Sequence, residues 1–263
     1  MILRTAGSLE SAVISLASSA EQLMRSLSDD EIRQLFSDGV VRHGPFAGLR
    51  YAELTSVGSA LYPKLLGSYE SELHPWMHEV CEAGYSEIID VGCAEGYYAV
   101  GLALRVPDAM VYAYDLWDGA QRLCAAFAEL NQVADRMSVR SLFTADELRD
   151  IRIRRRGLII CDCEGGENDI FTEQTRNCFV DWDLLIETHD FMDITISTRM
   201  ADLFRDTHER RSILSIDDIQ KAKTYNYPEL EGLDLATRRA ILAEFRPTLM
   251  EWQFLTSRSH SIS

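Results

Sequence analysis

The chain has 263 residues, 46% of them hydrophobic, and sets 42 acidic against 26 basic side chains for a formal net charge of -16. That length and apolar fraction suffice for one substantial core, so one α/β domain with an N-terminal appendage is expected rather than two equal domains. The acidic balance repels polyanions and argues against a nucleic-acid partner. No window approaches the ~18 consecutive apolar residues of a membrane span. Ser8, Glu10, Ser11 and Ser15 interrupt any leader pattern, so the expectation is a soluble cytoplasmic protein with no membrane association. Six cysteines (Cys81, Cys93, Cys124, Cys161, Cys163, Cys178) fall without paired CxxC spacing, which reads as reduced thiols rather than a zinc site or disulfide framework.

Over residues 9–36, Leu9, Val13, Leu16, Leu23, Leu27 and Leu35 recur near helical spacing, and Ser28 followed by Glu31 offers a capping box for a second short helix. Residues 39–67 are rich in Gly, Pro and small polar residues, which predicts a structured loop containing short elements. Pro75 in a first turn, Met77, Val80 and Cys81 on one side, and Gly84 as a stop place a helix before the first strand. Five apolar runs follow, SEIIDVG, AMVYAYD, MSVRSLF, GLIICDC and WDLLIET, separated by the helical stretches YYAVGLALRV, GAQRLCAAFAELNQV and ENDIFTEQTRNCF. RRSILSI and LMEWQFLTS supply a sixth and seventh strand, with helical patterns at 194–205 and 233–245. Alternating strands and helices predict a Rossmann-like, seven-stranded, mostly parallel sheet with helices on both faces. Residues 1–68 then form a helical and loop extension, serving as a lid or in oligomerisation such as a homodimer, and 69–263 the main domain. The basic cluster Arg152, Arg154, Arg155 and Arg156 reads as a solvated connection before the fourth strand.

The sharpest local signal is Asp90-Val91-Gly92-Cys93-Ala94-Glu95-Gly96-Tyr97-Tyr98. A buried strand ends in an acid, and a turn with two glycines opens a helix, which makes a ligand shelf at the carboxyl edge of the sheet. A dinucleotide fingerprint needs GxGxxG so that a pyrophosphate can reach the helix N-terminus. Here the spacing is GxxxG and Glu95 sits where a phosphate would approach. That disfavours a nicotinamide-dependent oxidoreductase and suits a cationic amino-acid cofactor, although Glu95 equally complements the helix dipole. Asp115, with Leu116 beside it, closes the second strand where a carboxylate meets ribose hydroxyls. Asp146 and Glu147 follow the third strand within reach of an adenine amine; Thr144 capping a helix with Glu147 is the competing reading. Tyr69 and Glu70 precede the first core helix and fit part of a lid or ordinary packing.

These residues resemble the class I methyltransferases and, more narrowly, the FkbM-like family. The first motif looks like that family's own, and Asp162-Cys163-Glu164-Gly165-Gly166-Glu167 is similar to its fourth-strand D-x-E-G-x-E signature, with Cys163 in place of the usual aliphatic residue. Upstream segments beginning at Gly44 and Gly67 extend the resemblance, which covers residues 44–190 and, more weakly, 249–255. It implies S-adenosylmethionine as cofactor and methyl transfer to a hydroxyl of a small-molecule acceptor or sugar.

The ends of strands four and five should face the methyl group. His189 is then the candidate base, with Asp162 assisting. Asp162, Glu187, His189 and Asp190 form an oxygen-rich set able to hold a divalent cation such as Mg2+; acids facing a sulfonium or solvent account for them equally. A non-catalytic module that keeps the fold and contacts a partner is the alternative from another class.

Overall fold

A computed structural model describes residues 24–262 of the chain. The helical pattern expected before residue 24 lies outside the described residues. Seven strands form one sheet, β1 Glu87–Val91, β2 Met110–Tyr114, β3 Met137–Arg140, β4 Gly157–Cys161, β5 Trp182–Thr188, β6 His208–Leu214 and β7 Glu251–Ser257. Their order is β3-β2-β1-β4-β5-β7-β6. The first five run parallel, and β7 is antiparallel to both its neighbours. This is the seven-stranded, mostly parallel Rossmann-like fold that the alternation of apolar runs predicts.

The continuous apolar runs of β1, β4 and β5 are explained by two cores, one on each face of the sheet. Ile88, Leu158, Ile160 and Leu185 point into the first, with Val100, Leu102 and Phe127 from the helices Tyr97–Arg105 and Asp118–Leu130. Ile89, Ile159, Leu184 and Ile186 point into the second, with Ile196, Met200 and Phe204 from the helix Ile196–Phe204. The N-terminal segment belongs to the first core through Ile32, Phe36, Val41, Phe46 and Leu49. Among the described residues no helix is long and apolar enough to cross a membrane.

The helix Asp29–Leu35 carries both halves of the expected capping box, with Ser28 accepting from the Glu31 amide and Glu31 accepting from the Ser28 amide. Ser28→Ala is expected to destabilise the protein by about 1 kcal/mol. A urea midpoint that does not move would show that packing of Ile32 and Phe36 alone sets this helix.

Two expectations need correction. The stretch ENDIFTEQTRNCF is one α turn, Glu167–Ile170, and a separate 3-10 turn, Arg176–Phe179. Thr172 and Thr175 trade hydroxyl and backbone bonds in between, at 2.7 Å from Thr175 Oγ1 to the Ile170 carbonyl and 2.9 Å from the Thr172 amide to Thr175 Oγ1, and so end the helix. The arginine cluster is not merely solvated: Arg154 Nε is 2.6 Å from Glu87, and Arg156 is 2.6 Å from the fully buried Asp183. Asp183 also accepts from Tyr85 Oη at 2.6 Å and from the Ser257 amide at 2.7 Å. These pairs satisfy the strand starts at the edge opposite the ligand shelf.

Candidate active site

Strand order reverses at β1, which lies between β2 and β4, and the carboxyl ends of the strands open there into a cleft of about 810 Å3. A crevice at such a switch point is where open α/β sheets bind ligands, and the volume lies within the range of small-molecule sites.

The turn after β1 builds the cleft's floor. The amides of Gly92 and Cys93 donate to the Tyr114 carbonyl at 2.9 and 3.0 Å, and the Asp162 amide donates to the Val91 carbonyl at 3.0 Å. Gly92 has φ +86°, and a Cβ there would stand 1.7 Å from the Asp162 carbonyl oxygen, so only glycine fits. Ala94 takes φ +49°, a left-handed conformation uncommon outside glycine. Its amide donates to Asp115 Oδ2 at 2.9 Å, while Asp115 Oδ1 accepts from the Trp117 amide at 2.9 Å. Asp115 is thereby aimed, and each oxygen keeps a lone pair for a ligand.

Of the residues singled out in the sequence, Tyr69, Asp90, Gly92, Cys93, Ala94, Tyr97, Asp115, Leu116, Asp146, Asp162, Glu187 and His189 line this one cleft. Asp90 is 2% exposed with Oδ2 unpartnered; burial, and then the nearby Asp162 charge, push its carboxyl up to about 7.

Five others sit off the cleft wall. Glu95 turns away into a buried set, where it accepts from Lys64 Nζ at 2.7 Å, Ser56 Oγ at 2.9 Å, the Val57 amide at 3.0 Å and Tyr51 Oη at 3.2 Å. Gly96, φ +101°, packs on Cys124 as the helix cap. Glu147 pairs with Arg140 at 3.0 Å and accepts from Tyr114 Oη at 3.1 Å, and Thr144 makes no side-chain cap bond. Glu70 is fully buried against Arg246 and Tyr98. Asp190 caps the helix Ile196–Phe204 by accepting from the amide and hydroxyl of Ser197 at 2.8 and 2.6 Å. It therefore stands apart from the other three acceptor-end groups.

Those three converge. Asp162, Glu187 and His189 each present one ligand atom, all within 4.8 Å of one another. His189 Nδ1 is bonded to the buried Glu167 carboxylate, and Nε2 lies 3.4 Å from Asp162 Oδ1 and 3.7 Å from Glu187 Oε2. Burial alone would lower the imidazole's pKa, but the Asp162 and Glu167 carboxylates dominate and raise it to about 11. Burial pushes Asp162 up, yet His189 and Glu187 hold its carboxyl below the usual range. Glu187 goes the other way, raised by burial and by Asp162 despite Arg246.

Sequence reading missed five residues that shape the cleft. Arg246 ion-pairs with Glu70, Glu187 and Glu244, the last at 3.0 Å. Glu244 also pairs with the fully buried Lys221. Glu167 orients His189, and Lys64 ties the N-terminal segment to the first motif. Only Glu167 carried a sequence signal, as the last acid of the fourth-strand signature.

No protein-family model matches the chain, and no curated protein matches it. Among solved structures it is similar to the O-methyltransferase TomG from Streptomyces achromogenes in complex with S-adenosylmethionine, at 11% identity over 68% of this chain and 77% of that one, with a TM-score of 0.47. It is similar also to an O-methyltransferase from Bacillus cereus in complex with S-adenosylhomocysteine, at 11% identity over 68% and 78% with a TM-score of 0.46. A third is precorrin 8W decarboxylase from Methanobacterium thermoautotrophicum, at 12% identity over 70% and 89% with a TM-score of 0.47. Likeness at these identities concerns the fold alone.

Proposed function

We propose that this chain is an S-adenosylmethionine-dependent methyltransferase of the FkbM-like kind, acting in the cytoplasm on a hydroxyl of a small molecule or sugar. The observation that carries this reading is the convergence of acidic strand ends, Asp90, Asp115, Asp162 and Glu187, on one cleft at the switch point of the sheet. Carboxylates there attract a sulfonium and repel a pyrophosphate. Asp115 takes the ribose hydroxyls, Asp146 and Phe143 flank the adenine, and the Gly92–Ala94 turn supports the amino-acid end.

Methyl transfer is an in-line displacement at sulfur, so the protein must align the acceptor oxygen and relieve it of its proton. Glu167 and Asp162 keep His189 charged, which moves the proton-accepting duty expected of it to Asp162, the ionised neighbour. His189 then steadies the oxygen on which negative charge develops.

Asp162, Glu187 and His189 also suit a hard divalent cation. Two carboxylates and an imidazole are an acceptable donor set, Asp162 Oδ1 is buried without a hydrogen-bond partner, and Glu167 fixes the ring from behind. Such an ion supplies positive charge that lowers the acceptor hydroxyl's pKa.

Calorimetric titration with S-adenosylmethionine and S-adenosylhomocysteine, with and without Mg2+, tests the reading. Micromolar binding is expected; no heat with either ligand in either condition would remove it and favour a partner-binding module. For the cation, Mn2+ titration followed by electron paramagnetic resonance should report one site in the wild type and a loss of about 10-fold or more in affinity for Glu167→Gln. Equal signals in both would dismiss the site.

A further inference from the structure

A buried lysine and glutamate tie a short N-terminal segment to the first motif, and that segment forms one wall of the cleft. Lys64 and Glu95 are each 3% exposed and pair at 2.7 Å. The other two Lys64 N–H groups reach Ser59 Oγ at 2.7 Å and Ser56 Oγ at 3.0 Å, so its donors are fully used. Glu95 in turn accepts from Ser56 Oγ and the Val57 amide. Lys64 lines the cleft too, but with its donors spent the pair acts by fixing the conformation of Val57-Gly58-Ser59, all three of which also line the cleft.

In that conformation the amides of Gly58 and Ser59 find no backbone acceptor among the described residues. Gly58 has φ +67°, and a Cβ built on it would meet open space. The segment thus offers hydrogen-bond donors and no net charge at the end of the cleft where Tyr69 and Tyr97 pack about Lys64, with ring centroids 5.0 and 5.3 Å from Nζ. The same cleft holds Asp90, nine-tenths buried and more, with an unpartnered carboxylate oxygen. Amide donors on one side and a carboxylate on the other complement the two charges of an α-amino acid.

Resting on the cofactor proposed above, we infer that Val57–Ser59, held by the Lys64–Glu95 pair, receives the carboxylate of the cofactor's amino-acid end while Asp90 receives its ammonium. Lys64 and Glu95 are positioning residues in this arrangement. The acid of the first motif serves the cofactor through the segment it anchors rather than by touching it.

Three ligands separate the contributions by calorimetry: S-adenosylhomocysteine, its decarboxylated analogue that keeps the ammonium, and 5′-methylthioadenosine, which has neither group. Glu95→Gln and Lys64→Met should each weaken S-adenosylhomocysteine by about 10-fold or more, the value of one charge-assisted hydrogen bond, and leave the other two ligands unchanged. Asp90→Asn should weaken the first two and spare 5′-methylthioadenosine. Parallel loss of all three ligands in Glu95→Gln would overturn the inference in favour of a purely structural pair, and so would unchanged binding of all three. If Lys64→Met fails to fold, the isosteric Glu95→Gln carries the test alone. A wild type that binds 5′-methylthioadenosine no more weakly than S-adenosylhomocysteine would also overturn it, whereas a wild type that binds none of the three would refute the cofactor assignment itself.

Discussion

Asp90→Asn is expected to make the ligand-free protein more heat-resistant at pH 8 and at the same time to weaken binding of the proposed cofactor. The Asp90 carboxyl lies at the end of a strand buried along its whole length, 2% exposed, with one oxygen unpartnered. Burial and the Asp162 charge raise it to about 7. Between the ordinary carboxylate range and that value the folded chain holds a proton that the unfolded chain has lost. Stability from this group is therefore greatest below the ordinary range and falls as pH rises through about 7. At pH 8 the buried charge costs on the order of 4 kcal/mol, which the neutral amide avoids. Melting scans at pH 5 and pH 8 should show the larger gain at pH 8. A variant less stable than wild type at both would mean that Asp90 is compensated in the free protein, and its acidity would then need another explanation.

Removal of Arg246 should have an effect of similar size and opposite sign. Its guanidinium is 14% exposed and lies among Glu70, Glu187 and Glu244, which are nearly or wholly buried. The neighbouring cation, Lys221, is paired with Glu244 as well. Arg246→Met leaves three carboxylates with half of their countercharge, and breaking a buried ionic set by deleting one partner costs about 3–5 kcal/mol. Arg246→Lys should recover only part of this, because one ammonium cannot reproduce the fork that touches three carboxylates. Urea unfolding gives the measurement, read from midpoints at constant slope. A shift below about 0.5 kcal/mol would show that the carboxyls simply take up protons, as burial favours at Glu187 and at Glu70, the latter raised to about 7.

The sheet was legible because each buried strand has an apolar centre, such as Ile88-Ile89 or Leu184-Leu185-Ile186, and the alternation of such runs with amphipathic helices leaves few topologies. The first motif and Asp115 were legible for a different reason: they are consecutive or one βα unit apart, so spacing alone places them on a single edge. The residues that were missed interact across distance in sequence. Lys64 meets Glu95 over 31 positions, and Arg246 meets Glu187 over 59 and Glu70 over 176. They are charged residues in loops or in a short helix, with no period to betray burial, and composition alone marks them as solvated. The misread arginines follow the same pattern, since Arg156 finds Asp183 27 positions away. Glu95 shows the converse: its place in the motif was visible, but the direction of its side chain depends on a segment almost forty residues earlier in the chain.

The closeness of Gly92 to the Asp162 carbonyl, together with the bond from the Asp162 amide to Val91, joins the turn after β1 to the turn after β4. The two signatures are thus one bonded part of the backbone, which ties the floor of the cleft to Asp162. On the proposed function the spacing between cofactor and Asp162 is set by this backbone, whereas the walls Val57–Ser59 and Glu244–Pro247 are built by separate segments of the chain.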